Sequence, residues 1–271
     1  MFKLQKILPL TLLVLGAASS AFAFDDTEMV LIPAGQFEMG CNISRASELC
    51  EDNTKPAHTV KLDAYKIDKY EATFRRYKAC VDAGECTEAF PGGACNWGFK
   101  WNDKHPVNCV DHNQAQEMCA FEGKRLPTEA EWEKAARGNQ DQRIFPWGDE
   151  SASCNRVVMD ENGPELPMPG CGAGKTKPVN FAADAGASPY GVVGMSGNLW
   201  EMTADWYSEN YYANSPRNNP EGPGSGTYKV VRGGAWTMRS DHGLTSILRF
   251  GYSPQGQGYV IGFRCAQDVA N

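Results

Sequence analysis

RGGAWTMRSDHGLTSILRFGYSPQGQGYVIGFRC, residues 232–265, is the stretch whose reading decides the fold. Its two ends, RGGAW at 232–236 and IGFRC at 261–265, make a frame. Its interior, residues 237–260, mixes aromatic, polar and glycine residues and contains no cysteine. No cysteine lies anywhere between Cys171 and Cys265. The frame speaks to architecture, whereas the interior carries no obvious chemistry.

At the other end of the chain, residues 1–23 read as an export signal. Lys3 and Lys6 give a positive start, residues 7–18 (ILPLTLLVLGAA) an apolar run, and Ala21-Phe22-Ala23 a small-residue cleavage pattern. That run is shorter than the roughly 18–20 apolar residues that span a bilayer. The expectation is a mature chain beginning near Phe24, periplasmic or secreted, with no membrane span. Residues 24–271 suffice for one large domain with its own core. Loss of Lys3 and Lys6 takes the formal charge from −7 to −9. Such a balance disfavours nucleic acid and anionic membrane surfaces as partners. The 28 glycines, 16 prolines and 7 tryptophans suit a loop-rich, aromatic domain better than a helical bundle.

All ten cysteines follow the signal. An even count in an exported chain reads most simply as a disulfide set. Proximity suggests Cys41–Cys50, Cys80–Cys86, Cys95–Cys109 and Cys154–Cys171. Cys119 and Cys265 are then left for a long-range bridge, although proximity alone leaves other pairings open. No CxxC pair occurs, which argues against a zinc cluster.

Local patterns predict several elements. Residues 28–40 (EMVLIPAGQFEMG) alternate around a Pro-Ala-Gly turn and predict a hairpin, and residues 60–67 predict a further strand. Thr73 predicts the cap of a helix running to about Asp82, with Gly84 at its stop. Asp111 caps a second helix that Gly123 ends. The strongest local signal is LPTEAEWEKAARG, residues 126–138. Thr128 and Glu131 form a capping box, Glu129 and Glu131 favour the helix dipole, and Gly138 stands at a left-handed stop. Residues 139–231 are mostly turns, so Trp147, Trp200, Trp206, Tyr207, Tyr211 and Tyr212 must supply apolar area, roughly 150–250 Å² each when buried. No repeat or linker divides the chain, which implies one domain over residues 24–271.

Five segments stand in order: MVLIPAGQFEMG (29–40), KRLPTEAEWEKAARG (124–138), FPWGD (145–149), GMSGNLWEMTADWY (194–207) and VVRGGAW…IGFRCA (230–266). Together they resemble the formylglycine-generating enzyme (sulfatase-modifying factor) family across essentially all of the mature chain. The resemblance implies an α+β fold, compact and C-type-lectin-like, with little regular secondary structure. It also implies a Cys119–Cys265 disulfide, because the family joins the helix before RLPTE to the GFRC terminus.

The family's founding activity converts a sulfatase cysteine to formylglycine, using oxygen and copper held by two thiolates, a ligand pair that suits soft monovalent copper. The two thiol positions fall on Met238 and Gly243, the family's serine on Ala235, and the asparagine before GFRC on Val260. Copper is therefore not expected, and Met238 with His242 is a poor substitute for two thiolates. One family calcium site falls on Gly194, Gly197, Leu199 and Glu201. Gly197 and Leu199 can serve through backbone oxygens and Glu201 through its carboxylate, so calcium is the structural cofactor the resemblance allows. Gly194 offers no side-chain ligand, and a metal-free turn held by Glu201 remains the other reading. A second family site begins at Asn155; its aspartate falls on Cys171, where a disulfide is expected instead.

Without the thiols, the resemblance implies an exported binding or scaffold domain. Residues 236–259 are its expected face, with Trp236, Met238, Arg239, His242, Arg249, Phe250 and Tyr252 as contacts for an exported protein, a peptide or a small molecule. The alternative is an oxidoreductase or maturation factor of altered chemistry acting on an exported peptide or natural product, with a true formylglycine-generating oxidase third. Other enzymatic readings lack their motifs. GMSGN is not a GxSxG elbow, and His58, His105, His112 and His242 show no HExxH spacing. Asp160, Glu161 and Glu165 read as a solvated loop rather than a glycosidase pair.

Overall fold

A computed structural model describes residues 24–41, 44–99, 103–139, 143–161, 168–239 and 241–269. The expected signal peptide and Glu165 lie outside these described residues. Among the described residues, nine short strands and three longer helices are joined by long loops, the α+β arrangement with little regular structure that the resemblance implied.

The three helix caps form as their sequences require. In α1 (Phe74–Asp82) the Thr73 hydroxyl accepts from the Arg76 amide. Capping boxes close α2 (His112–Phe121) through Asp111 and Gln114, and α3 (Glu129–Arg137) through Thr128 and Glu131. Every residue of α3 is buried, its charged ones included. Buried charge must be paired. Lys134 Nζ donates to the Pro33 and Gly35 carbonyls at 2.7 and 3.2 Å, and Glu133 accepts from the Gly40 amide and from Arg137.

That use of Lys134 bears on the one hairpin expectation that fails. β1 (Met29–Ile32) and β2 (Gly35–Met39) do form, yet they do not pair with each other. The turn carbonyls go to α3, and the two strands part into different sheets. The single strand expected over residues 60–67 is also two, β3 (His58–Leu62) and β4 (Tyr65–Asp68). Asn219 grips the corner between them, accepting from the Asp63 amide and donating to the Asp63 carboxylate, both at 2.9 Å. β2 pairs antiparallel with β3, while β4 lies between β1 and β9 (Ala266–Asp268). The largest sheet runs in the order β7 (Arg249–Tyr252), β6 (Lys229–Arg232), β5 (Trp200–Trp206), β8 (Ile261–Phe263), with β5 and β8 parallel. One core lies between this sheet and α1 and α2; a second lies under α3 against β2, β3 and β4.

All ten cysteines are bonded: Cys41–Cys50, Cys80–Cys86, Cys95–Cys109, Cys119–Cys265 and Cys154–Cys171. Complete pairing of this kind belongs to a chain that folds in an oxidising compartment. Among the described residues no helix is long and apolar enough to cross a membrane.

Burial also fixes a pH response. His105 is buried with Nδ1 2.9 Å from the Thr176 hydroxyl. Desolvation, then the nearby Lys175 and Lys177 charges, push its pKa from 6.5 down to about 4. The folded state therefore binds fewer protons than the unfolded chain in that window. The contribution is fully present above pH 6.5 and is lost as pH falls towards 4. His105→Gln should flatten the fall in melting temperature between those two pH values. A slope matching the parent's would assign the loss to other groups.

Candidate functional site

β6 delivers Arg232 into the core, and the chain then passes two glycines with positive φ, Gly233 at 92° and Gly234 at 77°. A Cβ on residue 234 would stand 2.2 Å from the Gly243 carbonyl oxygen, so only glycine lets these two segments cross. The Gly197 amide donates to the Gly233 carbonyl and the Trp236 amide to the Asn198 carbonyl, at 2.8 and 2.9 Å. The RGGAW frame is thus zipped to the GMSGN turn. Beyond it, Trp236 and Met238 carbonyls accept from the Gly170 and Asp160 amides.

The two positions where the resemblance places copper thiolates meet here. Met238 Sδ lies 3.0 Å from where a Cβ on residue 243 would be, and its own Cβ and Cγ lie 3.3 Å away. The thioether fills the room of the missing second side chain, packing against the main core and against the cluster of Phe145, Leu244 and Ile247. Ala235 is buried and Val260 packs against the Trp236 cluster, so the other two lost polar groups are replaced by apolar contact. With no cysteine free, no thiolate is available to a soft metal. Gly243→Cys alone should destabilise the fold by about 1–3 kcal/mol through overpacking. Met238→Cys/Gly243→Cys should recover most of that loss, and, purified under reductant, should bind copper(I) where the parent does not. Equal stability of the single and double variants would show that Met238 does not fill this space.

The seven expected contact residues do not form one face. Arg249 is a correction: its guanidinium is buried and forked onto Glu129, Nε to Oε1 at 2.7 Å and Nη2 to Oε2 at 2.8 Å. It lies above the rings of Tyr212 and Tyr207. Trp236 is also buried, with Val158 and Leu199, and Met238 is occupied as described. Tyr252 sits beneath the loop at residues 256–258, whose glycines leave room for its ring. Arg239, His242 and Phe250 do reach the surface. Arg239 Nε donates to the otherwise buried Asp160 at 2.6 Å with its side chain 67% exposed, His242 Nε2 lies 2.9 Å from Glu51, and Phe250 is 60% exposed. Tyr259, 48% exposed and 5.8 Å from the Trp236 ring, adds a second surface aromatic. The acidic-loop reading is half corrected: Asp160 is buried and paired, and Glu161 accepts from the Cys154 amide.

Sequence reasoning missed a charge network in the core. Arg232 reaches α3 through Nη1 to Glu129 at 3.1 Å and Nη2 to Glu133 at 2.6 Å, and also donates to the Ser246 and Ile247 carbonyls. Two carboxylates one helical turn apart thus tie Arg232 and Arg249, at the two ends of residues 232–249, to α3. Their spacing, i and i+4 on a short helix, was the available signal.

The expected calcium ligands are arranged differently from a cation site. Both oxygens of Glu201 are engaged, by Arg264 Nε and Nη2 at 2.6 Å each and by the Trp132 indole at 2.8 Å. A guanidinium already balances that carboxylate, so the set Gly197, Leu199 and Glu201 does not fit calcium as it stands. Where residue 155 begins the family's second site, the Cys154–Cys171 disulfide is present. Close to Gly194 and Arg264 stands a carboxylate no sequence pattern singled out, Glu71. Burial, then the Glu201 charge, push its carboxyl well above the ordinary range, against the pull of Arg264 and Asn198.

Comparison with known proteins agrees with this architecture. Residues 16–269 match the sulfatase-modifying factor enzyme 1-like domain. The formylglycine-generating enzyme of Streptomyces coelicolor is 32% identical, over 89% of this chain and 89% of its own. PvdO from Pseudomonas aeruginosa superposes with a TM-score of 0.73 at 24% identity, over 89% of this chain and 94% of that one. Treponema denticola variable protein 1 gives 0.68 at 23% identity, over 88% and 94%; both likenesses concern the fold. The order of the five segments, the Cys119–Cys265 bridge and this match along nearly the whole length place the chain in the sulfatase-modifying factor enzyme 1-like (FGE-sulfatase) domain family.

Proposed function

We propose that this chain is an exported ligand-binding module built on the sulfatase-modifying factor fold, rather than a formylglycine-generating oxidase. The observation that carries the reading is the Met238 thioether packed over Gly243 with every cysteine in a disulfide. Copper-thiolate catalysis, as the resemblance implies it, needs two free thiolates at these positions, and Met238 takes the space for the second. What remains on that side is a rigid frame, set by five disulfides and the Arg232 network, that presents Arg239, His242, Phe250 and Tyr259 to solvent. Exposed aromatics and arginine are residue types that anchor binding surfaces. The partner class is an exported protein, a peptide or a small molecule.

Photo-crosslinking tests the assignment of the surface. A benzophenone amino acid at position 250, in cells that export the protein, should capture a discrete partner. The same group at Leu31, 55% exposed on β1, serves as the control. Equal capture at both positions, or none at 250, would remove residues 236–259 as the binding face.

A further inference from the structure

A cleft of about 550 Å³ opens at the start of α3 and includes none of residues 236–259. That volume lies within the roughly 300–1,000 Å³ of small-ligand sites. The β3–β4 corner, residues between 125 and 131, Ala204 of β5, residues 219–221 and Asp268 of β9 wall it. Leu62, Leu126, Ala204 and Pro220 give the walls an apolar part. Asp63, Glu131, Glu221 and Asp268 bring four carboxylates, and Arg125 brings the single cation among the described lining residues.

The two signs of charge are not equally available there. A guanidinium has five N–H donors, and all five of Arg125 are taken. Nη1 donates to the Leu126 carbonyl at 3.2 Å and to Glu131 at 2.7 Å. Nη2 donates to Glu131 at 2.7 Å and to Asp268 at 2.5 Å, and Nε to Asp268 at 3.0 Å. An anionic ligand would find no guanidinium N–H to bind. The carboxylates, by contrast, keep acceptor capacity. One oxygen of Asp63 and one of Asp268 have no partner among the described residues, and Glu221 has none at either oxygen. These three side chains are exposed. Four carboxylates against one guanidinium leave three negative charges. A metal ion would use the oxygens but gain nothing from Leu62 and Leu126. A cation on an aliphatic stem uses both, as lysine stems do when they lie along apolar surface with the head in water.

We propose that this cleft binds an alkylammonium group on an aliphatic stem, the chemistry shared by a lysine side chain of a peptide and a free polyamine. The stem lies along Leu62, Leu126 and Ala204, and the ammonium lies against Asp63, Glu221 and Asp268. Attraction between exposed opposite charges is weakened by salt. Binding should therefore fall as salt rises from about 0.01 M to about 0.15 M, over which the screening length drops from roughly 30 to 8 Å. The cleft shares no residue with the candidate face, so this site stands or falls separately from the binding-module reading.

NMR titration of the mature, disulfide-bonded protein tests this with a capped alanine peptide bearing one lysine, the same peptide with norleucine in its place, and spermidine. The lysine peptide, spermidine or both should shift amides within residues 62–65, 125–131 and 219–221 to saturation, and the norleucine peptide should not. The tighter of the two cations names the source. Asp63→Asn and Glu221→Gln keep the shape of two exposed side chains. Each should weaken that binding by about 2–5-fold, the range of an exposed ion pair. A cleft left unshifted by both cations at millimolar concentration would overturn the proposal. Undiminished binding by the Asp63→Asn/Glu221→Gln double variant would do the same. Equal shifts by the lysine and norleucine peptides would overturn it on the parent protein alone, however the variants fold.

Discussion

Glu129→Ala should destabilise the protein by about 3–5 kcal/mol, the range for removing one partner from a buried ion pair. The carboxylate accepts from Arg249 twice, from Arg232 at 3.1 Å and from the Tyr212 hydroxyl at 3.1 Å. Burial raises its pKa, but Arg249 and then Arg232 outweigh that and hold it below the ordinary value. Its removal leaves Arg232 with Glu133 and the Ser246 and Ile247 carbonyls, and leaves the buried Arg249 with the Asn53 and Ser208 carbonyls but no paired carboxylate. Tyr212→Phe removes a neutral hydroxyl, shared as donor between Glu129 and Glu133 at 3.1 and 3.4 Å and accepting from Arg232 at 3.5 Å. Every charge stays paired, and the change should cost about 1 kcal/mol. Urea unfolding of both variants gives the comparison. A Glu129→Ala loss no larger than the roughly 0.5 kcal/mol of a surface substitution would show that the network does not hold the frame.

Removal of the Cys119–Cys265 bridge has an expected effect of similar size. The bridge closes 146 residues and ties α2 to the end of β8, inside the main core. Loop-closure entropy alone assigns about 5 kcal/mol to a loop of that length, and about 2 kcal/mol to the Cys80–Cys86 loop of 6. Cys119→Ala/Cys265→Ala should therefore lower the melting temperature markedly more than Cys80→Ala/Cys86→Ala. Calorimetry of the two double variants decides between them. Equal losses would mean that local strain, rather than chain entropy, sets the contribution of these disulfides.

Legibility in the sequence followed the range of the interaction. Thr73, Asp111 and Thr128 cap their helices because a cap needs only the next three residues, and those are read directly from the chain. The bridges came out as proximity and the family resemblance suggested, since four of them close short loops. Strand pairing was not legible at residues 28–40. Two alternating runs across a tight turn favour a hairpin locally, and it takes Lys134, a hundred residues away, to claim the turn carbonyls. Arg249 was misplaced for a similar reason. A polar residue between Leu248 and Phe250 looks solvated until Glu129 is known to lie beneath it. Glu71 carried no local signal, because its significance comes from Glu201 and Arg264 meeting it across three separate segments.

Position 238 is where family and individual chain part. The frame of residues 232–236 and 261–265 keeps the architecture, held by Arg232 and Cys265. Between them a thioether stands where a copper-thiolate oxidase needs reactive sulfur. The most direct measurement incubates the mature protein with copper(I), oxygen and a peptide carrying the CxPxR motif, and reads copper retention and peptide mass together. The expected result is no copper retained after desalting and no cysteine converted to formylglycine. Stoichiometric copper with aldehyde in the peptide would contradict the filled site and restore the oxidase reading.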